Sequence, residues 1–162
     1  MPAPPLSPTR RYLPPGIRKC YFVFVIANYL LPTRAELNSG LDVSAEIPTG
    51  GVTGFSLQGS TADAGDMGSK FTSTVAGRLT SGTNSIDSYL DSGDVDVRTL
   101  LPRLTTGNVV WMWAGDIPGG LMDVWPVQVL TQAIDPNTED VAKVTIQFAA
   151  TRVPAINVRI PA

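Results

Sequence analysis

Histidine is absent from the 162 residues. That removes the serine–histidine and cysteine–histidine nucleophile pairs and the commonest metal ligand. There is one cysteine, Cys20, so no disulfide can form within the chain. It sits in the apolar run Cys20-Tyr21-Phe22-Val23-Phe24-Val25-Ile26 and reads as a buried, inert thiol, which fits synthesis in a reducing cytoplasm. The stretch 20–31 is apolar apart from Asn28 but too short to cross a bilayer, which takes ~20 residues. The proline-rich start lacks the order of a signal peptide, so no membrane role is expected. Charge is also scarce: 16% of residues, against about 25% in an ordinary domain. A surface that poor in charge suggests cover by other subunits.

The net charge of −2 hides a gradient. Arg10, Arg11, Arg18 and Lys19, with no acid among residues 1–19, give that end +4. Lys143, Arg152 and Arg159 give residues 141–162 +3, and the body between them carries −9. Basic ends on an acidic body fit chance, or else ends that lie on the acidic body of a neighbouring copy.

What is abundant is glycine, at 15, and proline, at 14, among many Thr, Val and Ser, which favours short strands and turns. The clearest strands lie between Val127 and Arg152. Val127, Val129, Thr131 and Ala133 alternate with Gln128, Leu130 and Gln132. After a polar turn around Pro136, Ala142, Val144, Ile146, Phe148 and Ala150 alternate with Lys143, Thr145, Gln147 and Ala149. Period two marks strands with one face on a core.

Further strands are expected over 19–26, with both faces covered, and over 41–47, 51–60, 70–78, 85–90 and 107–114. In the last, Val109, Trp111 and Trp113 share a face. Thr33-Arg34-Ala35-Glu36 is a capping box and Gly40 a stop, giving a short helix over 32–39. A second helix is expected over 94–101, capped by Asp94 or Asp96 and ended by Pro102. Residues 59–69 are small and acidic without a period and read as a long loop. About eight strands and one or two short helices make a mainly β chain: two packed antiparallel sheets, a sandwich or split barrel. Residues 1–18 form an extended arm, 19–152 the β domain and 153–162 a second arm.

No catalytic, cofactor or metal constellation emerges. Asp91-Ser92-Gly93-Asp94-Val95-Asp96, near Asp87, partly imitates a calcium loop, but Pro102 falls where its glutamate belongs, so turn and cap are the reading. Gly50-Gly51-Val52-Thr53-Gly54 lacks a phosphate-loop lysine and dinucleotide spacing, and Ser56 lacks the glycine of a hydrolase elbow. Trp111, Trp113 and Trp125 fit core or interface, or else a sugar-binding face. The basic ends lack the interleaved aromatics of a nucleic-acid surface.

The order of segments carries more than any motif. Arg11-Tyr12-Leu13-Pro14-Pro15-Gly16 leads into a strand ending Ile26-Ala27-Asn28; Pro32 to Asn38 leads into Asp42 to Ile47 and Val52-Thr53-Gly54-Phe55. Asp96 to Arg103, Thr106 to Trp111 and Met122 to Val127 follow, and Val144 to Arg152 comes near the end. From Arg11 to Ala162 this series resembles the major tail tube proteins of long-tailed bacteriophages with non-contractile tails, particularly those of actinobacteria.

The resemblance implies a non-enzymatic virion subunit, made in the host cytoplasm, whose hexameric rings stack into the hollow tube that conducts the genome. It implies an inter-ring loop at 59–69, hence Gly59, Asp63, Asp66, Met67 and Lys70, and bridging arms carrying Arg10, Arg11, Tyr12 and Arg159. Partners would be other copies and the tape measure, tail tip and tail terminator proteins, with duplex DNA passing unbound. A closed barrel of about 24 strands, spaced ~4.8 Å and tilted ~40°, is roughly 48 Å across, so six chains giving four strands each leave a bore for duplex DNA. A bore must not grip phosphate; Thr72, Thr74, Gln128 and Gln132 are the expected lining. The alternatives are a monomeric glycan-binding sandwich and a capsid decoration or tail-terminator subunit. Removing residues 1–16 should leave a folded monomer that no longer polymerises.

Overall fold

The computed structural model describes residues 11–93, 96–135 and 139–162. Among them are ten strands: β1 (Lys19–Val23), β2 (Leu41–Asp42), β3 (Val52–Thr53), β4 (Leu57–Ala64), β5 (Ser73–Ser81), β6 (Asn84–Tyr89), β7 (Thr106–Met112), β8 (Leu121–Ile134), β9 (Lys143–Ala150) and β10 (Ala155–Arg159). Two short helices, α1 (Arg34–Asn38) and α2 (Val97–Leu100), and a 3-10 turn at Ser44–Glu46 complete them. Two antiparallel sheets result, as expected. The larger runs β2-β1-β7-β8-β9-β6-β3, with β10 also on β8; the smaller is β4-β5 alone.

The period-two pattern explains how the large sheet is held. Cys20 and Phe22 of β1, Val109 and Trp111 of β7, Trp125, Val127 and Val129 of β8, and Val144, Ile146 and Phe148 of β9 enter one apolar cluster, with Ile86 of β6. The sheet therefore curls around that cluster. The intervening residues Val23, Val110, Met112, Met122 and Val124 form a second cluster on the opposite face, closed by Leu37 of α1 and by Ala155 and Ile160. β1, β7 and β8 are thus covered on both sides, which accounts for their near-continuous apolar sequence.

Both helices are capped as their sequences dictate. Thr33 and Glu36 form the reciprocal capping box of α1, and the Glu36 carboxylate also accepts from the Ala27 N–H at 2.7 Å. Asp96 caps α2 through the Thr99 N–H; Asp94, the other candidate, lies outside the described residues. Beside α1 the Arg34 guanidinium grips Asp116 with two hydrogen bonds of 2.5 and 2.6 Å, and the Tyr21 hydroxyl donates to the same carboxylate at 3.0 Å. Arg34 holds the Asp116 carboxyl below its usual range. Burial first, then the bond to Asp116, pushes Tyr21 up to about 12.

These shifts contribute to the pH profile of stability. Asp116 stabilises the fold above its unfolded value, ~4, and that contribution is lost as pH falls through the depressed folded value. Tyr21 stabilises the fold below its unfolded value, ~10, and that contribution is lost between there and about 12. Urea unfolding from pH 3 to 12 should show a plateau with both shoulders. Asp116→Asn should shrink the acid shoulder, to which Glu36, Asp42 and Asp140 also contribute, and Tyr21→Phe the alkaline one, to which Cys20 also contributes.

Several boundaries depart from expectation. The strand expected over 41–47 is two residues long: Ser44 accepts from the Cys20 N–H and the chain turns. The strand expected over 51–60 breaks at Gly54 and Phe55, whose φ values are +83° and +51°. A Cβ on Gly54 would sit 2.2 Å from the Thr83 carbonyl oxygen, so only glycine fits there. The stretch 59–69 is no loop in its first half, because β4 continues to Ala64 and pairs with β5, which begins at Ser73 rather than Lys70. Residues 153–162, expected as an arm, pair with β8 as β10 and bury Ala155 and Ile160. Tyr12 is also held on its own chain, its hydroxyl donating to the Trp113 carbonyl at 3.0 Å. A deletion meant to spare the fold should therefore stop short of residue 11.

Candidate assembly surface

The β4–β5 hairpin stands apart from everything else. Every residue from 58 to 80 is exposed, on both faces of the two-stranded sheet. Its sequence explains why it remains a strand pair without a core. Gly59, Thr61, Ala62, Asp63 and Ala64 pair with Leu79, Ala76, Val75, Thr74 and Ser73 across the ladder; the β-branched Thr61, Thr74 and Val75 favour extended backbone. Ser73 Oγ donates to the Ala64 carbonyl at 2.8 Å and Ser60 Oγ to that of Arg78 at 3.2 Å. The register slips once, where Gly77 and Arg78 together oppose Ser60. A Cβ on Gly77 would crowd the Ser60 hydroxyl and backbone carbonyl, so this bulge favours a small residue there.

The turn is built from local side chains. Asp66 Oδ1 accepts from the Gly68 N–H at 2.9 Å and Ser69 Oγ from the Phe71 N–H at 3.0 Å. Met67 and Phe71 project there with almost no cover. Val75 and Leu79 are more than half exposed further down. The two strands contain only two charges, Asp63 and Arg78, and no proline or lysine. Those are the usual guards of a free edge, and an isolated hairpin is marginal in water. The surface is therefore suited to being covered and extended.

At its root the hairpin is anchored firmly. Phe55 plugs between Trp111 and Trp125, ring centroids 5.4 and 5.6 Å away. Buried Asn84 accepts from the Phe55 N–H at 2.7 Å and donates to Ser81 Oγ at 2.8 Å, tying the two corners where the hairpin leaves the body.

The expected site residues fall in different places. Gly59 and Asp63 are within β4, Asp66, Met67 and Lys70 in the turn, and Thr74 opposite Asp63, with Thr72 just before β5. Gln128 and Gln132, expected on one face of β8, are on opposite faces. A bulge between Val129 and Thr131 shifts the register, so Gln132 pairs with core-facing Ile146 while Gln128 pairs with Ala149. Gln132 then donates to the Leu101 carbonyl at 2.6 Å. The outer polar face that results is Gln128, Thr131, Thr145, Gln147, Ser85 and Asp87, which sequence alternation missed because the bulge leaves no local signal. Thr131 donates to Gln147 at 3.0 Å and Thr145 to Asp87 at 2.6 Å.

Arg10 lies outside the described residues, Arg11 is exposed, and Arg159 donates to the Gly119 carbonyl at 2.7 Å. Trp111 and Trp125 are buried and Trp113 is half-buried, so no open three-tryptophan platform exists. Burial, and then Asp42, pushes the Cys20 thiol well up, in keeping with an inert cysteine.

A curled β body that spends its residues on an unprotected hairpin has the build of a structural subunit. The comparison with known families agrees: the family model described as phage tail tube protein matches residues 7–162, and the chain belongs to that family. It is a structural phage tail protein and a component of the virion. The fold is similar to a chain in the cryo-EM structure of the anti-feeding prophage (AFP) baseplate, 6-fold symmetrised, at 15% identity and a TM-score of 0.57, over 94% of this chain and 95% of that one. No curated protein matches.

Proposed function

We propose that the chain polymerises as hexameric rings stacked into the tube of a long, non-contractile phage tail, through which the genome passes to the host. The observation that carries this reading is the β4–β5 hairpin, exposed on both faces and unguarded at both edges. Further strands from other copies would pair those edges, which water meets in the free chain, without either strand needing a core of its own. The hairpin supplies two of the four strands each chain gives to a closed inner barrel, and its turn, with Asp66, Met67 and Lys70, reaches the next ring. Sixfold closure suits both the bore that 24 strands enclose and the symmetry of the baseplate whose chain shares this fold.

The lining is drawn from Thr72, Thr74 and Gln128, joined by Thr131, Thr145 and Gln147. Such neutral polar groups offer phosphate no fixed cation, so duplex DNA slides without counterion-release affinity. Other copies are the main partner; the tape measure, tail tip and tail terminator proteins bound the tube within and at its ends. Assembly takes place in the host cytoplasm. Negative-stain microscopy of the purified full chain, with and without added tail-tip complex, tests the reading. Tubes of uniform bore are expected. Isolated rings that never stack would point to a terminator, and monomers unchanged by the tail tip would refute polymerisation.

A further inference from the structure

The sulfur atoms of the chain divide sharply between body and hairpin. There are four methionines and one cysteine. Met112 and Met122 are 0% exposed in the second apolar cluster, and Cys20 is 2% exposed in the first. Met67, in the turn of the hairpin, is fully exposed at 107%. Met1 lies outside the described residues. Among the described residues, then, one sulfur alone meets solvent. The turn holds it there. The Gly68 N–H donates to Asp66 Oδ1 at 2.9 Å, an Asx turn that spans Met67. The Phe71 N–H donates to Ser69 Oγ at 3.0 Å directly after it. No part of the chain folds back over the thioether.

A leucine in that turn would supply the same apolar bulk. Methionine adds one reaction that leucine lacks. The sulfur lone pair attacks one oxygen of a peroxide, the O–O bond breaks, and the hydroxide released takes the proton from the new S–OH to leave as water. Sulfur is oxidised by two electrons and the peroxide is reduced by two. The product is the sulfoxide, a polar and chiral group. Oxidant and water must reach the sulfur, so the reaction separates a bare thioether from two enclosed in a core.

We propose that Met67 is an oxidation site that regulates assembly: a hydroperoxide converts it to the sulfoxide in the free subunit, and the oxidised turn joins the next ring poorly. The inference rests on the reading that this turn reaches a neighbouring ring, and it adds the control of that contact. Burying a thioether removes apolar surface from water. Burying a sulfoxide instead strips water from a strong acceptor. In a finished tube the contact itself shields Met67, so the reaction falls on subunits that have not yet assembled. Methionine sulfoxide reductases reverse it, one enzyme for each epimer.

The test uses the full chain. Folded protein below its assembling concentration is treated with hydrogen peroxide, quenched with free methionine, digested and mapped by mass spectrometry. Met67 should be oxidised about tenfold or more faster than Met112 and Met122. The urea midpoint should not move. The oxidised protein should need about tenfold more chain to form tubes, and the two reductases should restore the original requirement. Met67→Gln, polar and of similar length, should raise the critical concentration without any peroxide. The critical concentration of Met67→Leu, whatever its value, should not respond to peroxide, which separates Met67 from Met1. Three results would each overturn the proposal: Met112 or Met122 oxidised as readily as Met67, an unchanged critical concentration for protein carrying the Met67 sulfoxide, or Met67→Leu as sensitive to peroxide as the unaltered chain. Tubes formed equally by oxidised protein would remove this inference and leave the tube. Untreated protein that forms no tubes, with or without the tail-tip complex, would remove both.

Discussion

Excising residues 61–76 and closing the gap with Asn-Gly should give a folded chain that forms no tubes. The removed residues are exposed throughout and pack only on each other, so the stability of the body should change by no more than about 1 kcal/mol. Assembly should suffer far more. The excision takes four residues from each strand, and with them the outward N–H and C=O groups of about two residues on each edge. At roughly 1 kcal/mol per ladder bond, several kcal/mol per contact disappear, a thousandfold or more in association. The critical concentration of polymerisation, read by light scattering and microscopy, measures this directly. Tubes of ordinary diameter from the excised protein would show that the hairpin is not an assembly element.

Phe55→Ala should cost the fold about 3–5 kcal/mol in urea unfolding. Phe55 is buried against Trp111, Trp125 and Phe148, so its removal opens a cavity between three aromatic rings. Its positive φ is retained in the alanine variant, so the strain of that backbone would remain while the ring contacts that offset it are lost. The root of the hairpin should loosen with it, because Asn84 holds the Phe55 N–H and Ser81 together. Leu79→Ala is the control: exposed in the free chain, it should cost under about 0.5 kcal/mol in stability. A cost below ~1 kcal/mol for Phe55→Ala would mean the aromatic cluster does not anchor the hairpin.

Where a segment meets the chain's own core, its sequence announced the outcome. The alternation at 142–150 became β9, and Val109 and Trp111 share a face of β7. The Thr33–Glu36 box and Asp96 cap their helices because the donors they satisfy are three residues away. The second half of β4 reads in the sequence as a loop for the opposite reason, although strands are legible on either side of it, over 51–60 and 70–78. Gly59 to Ala64 meets no core of its own, so nothing selected a hydrophobic period there, and extended backbone arises from pairing with β5. The small, acidic composition is visible in the sequence, but composition does not name a partner strand.

The residues alone determined the β class, the two capped helices, the buried thiol, the faces of the central strands and the likeness to tail tube proteins. Each depends on neighbours close in sequence or on a period repeated along it. The fold in three dimensions decided the rest: the exposed pairing of β4 with β5, the bulge that parts Gln128 from Gln132, the return of residues 155–159 along β8, and the exposure of Met67 while Met112 and Met122 are buried. Those rest on ladder bonds and packing between residues far apart in the chain, which backbone groups common to every residue can make and side-chain order cannot foretell.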